Sequence, residues 1–141
     1  MASHYGETLV IFITVLLTLF ALFYKGWICD YIFSEDCLNY APYSATLLGA
    51  YVIGVVLVSV AGVLQVVPKT RANARWLLIS RICCWIAAVL YVTGIFYYYN
   101  TSFSVTNGEN IAGLTAGMLV SIVLIQIINM IVARFEPSNT T

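Results

Sequence analysis

Four cysteines are the residues of this chain best suited to chemistry, and they fall into two pairs, Cys29 with Cys37 and Cys83 with Cys84. Paired cysteines bind a metal, exchange electrons or form a disulfide. The first pair lacks the Cys-x-x-Cys spacing of thioredoxin-like redox motifs. No histidine lies near it to complete a zinc site. We therefore predict a disulfide between Cys29 and Cys37, provided that they lie in an oxidising compartment.

The second pair, Cys83 and Cys84, lies inside an apolar run, two residues beyond Arg81. Buried cysteines often act as small hydrophobic residues in a helix. A cysteine near a membrane boundary is also a candidate for S-acylation. Both interpretations remain open for Cys83 and Cys84.

The compartment depends on the elements that hold these cysteines. The chain has 141 residues, of which 62% are hydrophobic and 9% charged, whereas an ordinary soluble domain has about 25% charged residues. Four apolar runs are bounded by polar residues, at Thr8–Tyr24, Ser44–Val67, Trp76–Tyr99 and Ile111–Val132. A helix that crosses the hydrocarbon core needs about 20 such residues, and only helices satisfy every backbone group there. We predict an all-α membrane protein: one domain, residues 1–141, folded as a four-transmembrane-helix up-down bundle in the lipid bilayer.

Basic residues indicate the orientation of the bundle. Lys69, Arg71, Arg75 and Arg134 fall on one side, and Lys25 is alone on the other. Because basic loops stay in the cytoplasm, we predict that both termini are cytoplasmic and that residues 25–43 and 100–110 face outside. The pair Cys29 and Cys37 then lies in a small disulfide-stapled outer loop of a plasma-membrane protein that travels through the secretory pathway.

The outer loops carry two further candidate sites. Asn100-Thr101-Ser102 is an N-glycosylation sequon, so we predict a glycoprotein modified at Asn100. The first outer loop is acidic and aromatic, and its two halves are expected to pair as a small hairpin across Ser34-Glu35-Asp36. The residues predicted to form a recognition surface there are Trp27, Asp30, Tyr31, Glu35 and Asp36.

Small residues at helical spacing predict how the spans pack, because close backbone approach drives association in lipid. Spans two, three and four each carry one such stripe: Ala50, Gly54 and Gly62; Ser80, Ala87 and Gly94; Gly113, Gly117 and Ser121. We expect these stripes to pack within the bundle, with self-association as the alternative.

The sequence lacks the residues that several functional classes of protein require. The formal net charge is zero, so nothing favours nucleic-acid binding, and no phosphate-binding loop, zinc motif or nucleophile elbow occurs. Ion and proton pathways need ionisable residues at mid-membrane depth, and none falls there in the four runs. We therefore predict no catalytic, cofactor-binding or metal-binding residues. The amides Gln65, Gln126 and Asn129 fall toward the cytoplasmic end, where they can bond across helices.

Gly26-Trp27-Ile28-Cys29 followed by Cys37 resembles the Gly-Leu-Trp-x-x-Cys…Cys signature of the claudin and peripheral-myelin-protein superfamily. Here Trp27 lies one residue closer to Cys29, and the first outer loop is shorter than in that family. The resemblance implies four spans with both ends inside, a disulfide between Cys29 and Cys37, and a place in cell junctions.

The sequence thus predicts a non-enzymatic multi-pass membrane protein that acts through protein–protein contact at the cell surface. It would be a cell–cell adhesion or junction component, or an accessory subunit that binds a membrane-protein partner. The alternative is a pore-forming or channel-forming subunit in an oligomer lined by Ser, Thr, Gln and Asn.

Overall fold

A computed structural model describes residues 2–25, 27, 32–40, 42–101 and 107–135. Helices account for nearly all of them. In chain order they are α1 (Ala2–Phe23), α2 (Glu35–Tyr40), α3 (Pro42–Val66), α4 (Pro68–Arg71), α5 (Ala74–Thr101) and α6 (Asn107–Phe135).

Four of these helices are long and apolar enough to cross a membrane. The spans are Tyr5–Phe23, Ala45–Val66, Ala74–Asn100 and Asn107–Phe135, with mean hydropathies between 1.9 and 2.5. The prediction of a multi-pass, all-helical membrane protein is confirmed. The first and last spans begin earlier than predicted, because Glu7 and Glu109 lie inside the helices. The predicted runs began after these two residues, since a run was defined by apolar residues.

The four long helices form a ring in which α1 contacts α3 and α6, and α5 contacts α3 and α6. Residue numbers rise along one helix of each contacting pair and fall along the other, so chain neighbours are antiparallel. The contacts that show this pair Thr8 with Gln65, Ile11 with Gly62, Gly54 with Tyr91, Ala61 with Ser80, and Trp85 with Gln126. The topology is the predicted up-down bundle.

A tight turn joins α3 to α5 through the four-residue helix α4. Its first residue is Pro68, which suits a first helical position because that position needs no N–H donor. The Thr70 hydroxyl bonds the Leu64 carbonyl at 2.6 Å, so the end of α3 is capped by a side chain. We call this the basic end of the bundle, because it carries the following basic residues: Lys69, Arg71, Arg75 and Arg134.

The opposite end is closed by aromatic residues, and we call it the aromatic end. Trp27 is 5% exposed, packs edge-on against Tyr98 at 5.9 Å between ring centroids, and donates Nε1–H to the Ala21 carbonyl at 2.9 Å. Residues 35–40 form helix α2, which packs against α3. The prediction that this segment is the second strand of a hairpin is therefore wrong. Two acidic residues at the start of α2 favour a helix, since carboxylates stabilise the N-terminal dipole.

Candidate functional site

A cluster of polar side chains, centred on Glu7, lies inside the bundle toward its basic end. One carboxylate oxygen, Oε1 of Glu7 on α1, accepts a hydrogen bond from Gln126 Nε2 on α6 at 2.6 Å. The same oxygen accepts a bond from Gln65 Nε2 on α3 at 3.0 Å. A single oxygen therefore joins three helices.

Further hydrogen bonds bring α5 into the cluster. Gln65 Nε2 also reaches Ser80 Oγ at 3.3 Å, and Trp85 Nε1 donates to Gln126 Oε1 at 3.0 Å. We use the name polar cluster for these five residues: Glu7, Gln65, Ser80, Trp85 and Gln126. Bonds to charged groups are the stronger class, each contributing about 1.5–3 kcal/mol. The polar cluster thus ties all four long helices together.

Three members of the polar cluster are buried, and the other two, Glu7 and Trp85, are partly exposed. Gln126 and Ser80 are fully buried and Gln65 is 6% exposed, while Glu7 is half-buried. Among the described residues, no group of three or more His, Cys, Asp or Glu side chains could hold a metal ion. The chemistry that the arrangement supports is hydrogen bonding, with Glu7 as its one acidic group.

Glu7 also lines a groove between α1 and α6 that opens sideways from the bundle. The groove has a volume of about 420 Å³, and we call it the lateral groove. Its lining is mostly apolar or small and comprises Gly6, Glu7, Val10, Met118, Ser121, Ile122 and Ile125. A ligand that enters from the bilayer would meet hydrocarbon walls and one carboxylate.

A second polar layer, toward the aromatic end, uses two tyrosines. The rings of Tyr51 and Tyr91 stack with centroids 4.2 Å apart and planes 11° apart. Tyr51 donates to the Ala112 carbonyl at 2.6 Å, and Tyr91 donates to Thr18 Oγ1 at 3.1 Å. These two bonds join α3 to α6 and α5 to α1, which are the diagonal pairs of the ring.

The predicted packing stripes have two outcomes in the structure. Those of α3 and α5 lie between helices: a Cβ on Gly54 would fall 2.2 Å from Tyr91 Cε1, and one on Gly94 would fall 3.2 Å from Ala50 Cβ. Gly62 faces Ile11. The other two members, Ser80 and Ala87, are fully buried.

The stripe of α6 points away from the bundle. Gly117 has no neighbour within 4 Å of the position of a Cβ, and Gly113 has only the Tyr99 hydroxyl, at 3.8 Å. Ser121 is exposed, and its hydroxyl bonds the Gly117 carbonyl of its own helix. The buried face of α6 instead comprises Ala112, Thr115, Ala116, Leu119, Ile122 and Gln126.

The predicted outer-loop residues are only partly described. Trp27, expected on a recognition surface, is buried as a packing residue. Glu35 and Asp36 are exposed in the first turn of α2. Cys29, Asp30 and Tyr31 lie outside the described residues, as does the side chain of Cys37, so the predicted disulfide falls there too.

The remaining modification sites lie on α5. Asn100 is exposed in the last turn of the helix, where its sequon continues into residues outside the described part. Cys83 is partly exposed and Cys84 is fully buried, both as free thiols. Of the two candidates for acylation, Cys83 is the one that reaches the surface of the bundle.

The sequence interpretation missed both carboxylates of the bundle. Glu7 lies just before the first predicted run, and Glu109 lies in the predicted outer loop at 100–110, yet Glu7 is in α1 and Glu109 is fully buried in the first turn of α6. A usable signal existed for Glu7, since it continues the helical spacing of a buried stripe on α1. The other members of that stripe are Ile11, Thr14, Thr18, Ala21 and Leu22.

Comparison with known proteins adds no relative. The chain matches no protein-family model, no curated protein and no solved structure.

Proposed function

We propose that this protein is a non-enzymatic membrane protein that acts by contact, as an accessory subunit that binds a transmembrane helix of a partner. The observation that carries the proposal is the lateral groove, an opening of about 420 Å³ between α1 and α6 with Glu7 in its wall. Transmembrane helices associate through small residues and interhelical hydrogen bonds, and the groove offers both.

The surroundings of the groove favour a helix as its occupant. Gly6 and Ser121 line it, and Gly117, one turn from Ser121, leaves open space beside it. A partner backbone can approach closely there. Ionisable residues within membranes pair with one another or with other polar groups, so Glu7 favours a partner that presents a Lys, an Arg or a polar donor at that depth.

The alternative function, a pore-forming subunit, needs polar side chains that line a path. Within the described spans, Thr14, Thr18 and Ser59 bond carbonyls of their own helices, as hydroxyls in membrane helices commonly do. Gln65 and Gln126 bond Glu7. These bonds stabilise the bundle, and they favour the contact role over conduction.

The cellular setting is part of the proposal. The basic end, with Lys69, Arg71 and Arg75, is placed in the cytoplasm by the positive-inside rule, with both termini on that side of the plasma membrane. The resemblance around Trp27 and Cys29 to the claudin and peripheral-myelin-protein superfamily supports a surface contact role, in junctions or in a membrane complex.

A disulfide between Cys29 and Cys37 belongs to the same proposal, because the first outer loop then faces an oxidising compartment. Closing a loop of this size stabilises the fold by about 2–3 kcal/mol in the entropic description. Mass spectrometry of unreduced protein should show one peptide pair linked through these two cysteines. Free thiols at both positions would contradict the pairing.

Partner binding is tested by two matched variants, Gly117→Leu and Gly49→Leu. Both glycines lie on long helices with nothing within 4 Å of a Cβ, so both variants should fold, whereas only Gly117 lies beside the lateral groove. Proteins that co-purify with the wild type in mild detergent should remain with Gly49→Leu and be lost with Gly117→Leu. Identical co-purification by the two variants would contradict the proposal, and reproducible ion currents from the purified protein alone would support the pore instead.

A further inference from the structure

A second cavity, distinct from the lateral groove, opens at the basic end between the start of α1, the end of α3 and α4. Its volume is about 540 Å³, within the range of about 300–1,000 Å³ that is typical of small-molecule sites. We call it the basic pocket. Its lining residues are Tyr5, Thr8, Gln65, Val66, Pro68, Arg71 and Ala72.

Arg71 gives the basic pocket its charge. The guanidinium carbon lies 5.0 Å from the centroid of the Tyr5 ring, a cation–π distance that orients the side chain. Among the described residues, no carboxylate forms an ion pair with Arg71. Its fork of N–H donors matches the oxygens of a phosphate group, and its charge is available to an anion.

No carboxylate is among the described residues that line the basic pocket. Glu7 lines the lateral groove and is absent from the lining of the basic pocket. Gln65 lies between the two, donating Nε2–H to Glu7 at 3.0 Å while its Oε1 accepts from the Thr8 hydroxyl at 3.1 Å. The cavity therefore presents a cation and neutral polar groups to its contents.

The position of the cavity indicates what those contents are. The span that contributes Gln65 ends at Val66, so the cavity lies at the boundary between hydrocarbon and headgroups. Val66, Pro68 and the ring of Tyr5 add apolar surface beside Arg71. A ligand that carries phosphate and hydrocarbon together satisfies both kinds of lining, and basic pockets between transmembrane helices bind anionic lipid headgroups.

We propose that the basic pocket binds the phosphate-bearing headgroup of an anionic lipid. Arg71 bonds the phosphate, and the apolar lining contacts the glycerol region. A phosphomonoester is favoured over a phosphodiester because it carries more charge and more acceptor oxygens for the same fork of donors. A soluble phosphate ester offers the same group without the hydrocarbon, and the experiment separates the two sources.

The test measures lipid binding to purified full-length protein by native mass spectrometry, with phosphatidylinositol 4,5-bisphosphate as the probe. Arg71→Gln is compared with Arg134→Gln, which removes the same charge from the same end but lies outside the pocket. Because a hydrogen bond to a charged group contributes about 1.5–3 kcal/mol, Arg71→Gln should weaken binding by at least about tenfold. Arg134→Gln should weaken it by no more than about fivefold, which corresponds to roughly 1 kcal/mol per basic residue near the surface.

Four results would overturn the proposal. Equal losses in the two variants, or equal binding of phosphatidylserine and the bisphosphate, would show general charge attraction. Full competition by soluble inositol trisphosphate would assign the pocket to a free phosphate ester. If Arg71→Gln melts early, Arg71→Lys keeps the charge without the planar fork and should still lose at least about threefold in affinity. Unchanged binding by Arg71→Lys in that case would refute the role of the guanidinium.

Discussion

Two seams on opposite sides of the bundle, α3 against α5 and α1 against α6, are built differently. Between α3 and α5, glycines admit the ring of Tyr91 and the side chains of Leu47 and Ala50, leaving no gap. Between α1 and α6, the lateral groove remains open, and the Glu7–Gln126 bond closes only its basic side. Steric fit therefore stabilises the seam between α3 and α5, which we call the closed seam. A hydrogen bond to a charged group holds the seam between α1 and α6, which we call the open seam.

A stripe of small residues does not determine what covers it. Gly54 and Gly117 lie in stripes of the same kind, yet Gly54 has Tyr91 against it and Gly117 has open space. In lipid, small residues favour close packing wherever a complementary surface exists. Tyr91 supplies that surface inside the chain, whereas no described residue lies within 4 Å of a Cβ at Gly117.

The largest loss of stability is expected for Gly54→Ala at the closed seam. The added Cβ would fall 2.2 Å from Tyr91 Cε1, and Tyr91, which is fully buried, cannot move without breaking its stack on Tyr51. Overpacking of this kind costs about 3 kcal/mol in free energy of unfolding, the upper part of the usual range. Unfolding of the purified protein in mixed micelles by titration with denaturing detergent measures the loss.

Gly49→Ala is the matched control for that measurement, since it makes the same change on α3 with nothing within 4 Å. It should leave stability unchanged or raise it slightly, because alanine favours the helix over glycine by about 1 kcal/mol. Similar losses at Gly49 and Gly54 would show that glycine itself, rather than the fit with Tyr91, matters on α3.

The fold was predictable because its signal is compositional. Apolar runs of sufficient length have only one stable state in lipid, and the runs ending at Tyr24 and Val67 lie within one residue of the helix ends at Phe23 and Val66. The polar cluster was only partly predictable. Gln65 and Gln126 were expected to bond across helices, but their acceptor, Glu7, lies just outside the first apolar run.

Other parts of the site depend on three-dimensional facts that a linear pattern omits. Trp27 looks like a loop residue in the sequence, but the chain folds back so that its ring packs on Tyr98. Gly108 allows this because a Cβ there would fall 2.9 Å from the indole ring. The spacing of small residues does not show which face of a helix meets a neighbour. The stripe of α6 is an example, since it points away from the bundle.

The next largest loss of stability is expected at the open seam, where Glu7→Ala is compared with Glu7→Gln. Alanine removes the acceptor of the Gln65 and Gln126 amides, and leaving buried donors unsatisfied costs roughly 2 kcal/mol. Glutamine keeps an acceptor oxygen, so its loss should be smaller, about 1 kcal/mol, from the missing charge. The same detergent titration measures both, and Glu35→Ala, at an exposed carboxylate on α2, serves as the control.

Equal stability of the wild type and Glu7→Ala would contradict a polar contact as the basis of the open seam, since that seam would then be held by packing alone. A cysteine-accessibility measurement at position 122, which lines the lateral groove, tests whether the Glu7–Gln126 bond limits the width of that groove. If the Glu7–Gln126 bond limits the width of the groove, labelling of Ile122→Cys by a lipid-soluble maleimide should become faster when Glu7→Ala is added.

The smallest effect is expected for the hydroxyls of the tyrosine layer. Tyr51→Phe removes a donor to the Ala112 carbonyl, which still accepts from Thr115 at 2.7 Å. Tyr91→Phe removes a donor to Thr18, whose hydroxyl still bonds the Thr14 carbonyl. Because each partner remains satisfied, each change should cost about 0.6 kcal/mol, the average for hydrogen bonds between membrane helices.

The double variant tests whether stacking or hydrogen bonding dominates this layer. Both rings stay stacked when the hydroxyls are removed, so the two losses should add, with a coupling energy below about 0.5 kcal/mol. If Tyr91→Phe alone cost as much as Gly54→Ala, the diagonal bonds rather than the fit of ring against glycine would stabilise the closed seam. The two seams would then both depend on polar contacts, and the open space at Gly117 would no longer distinguish the side that is proposed to bind a partner.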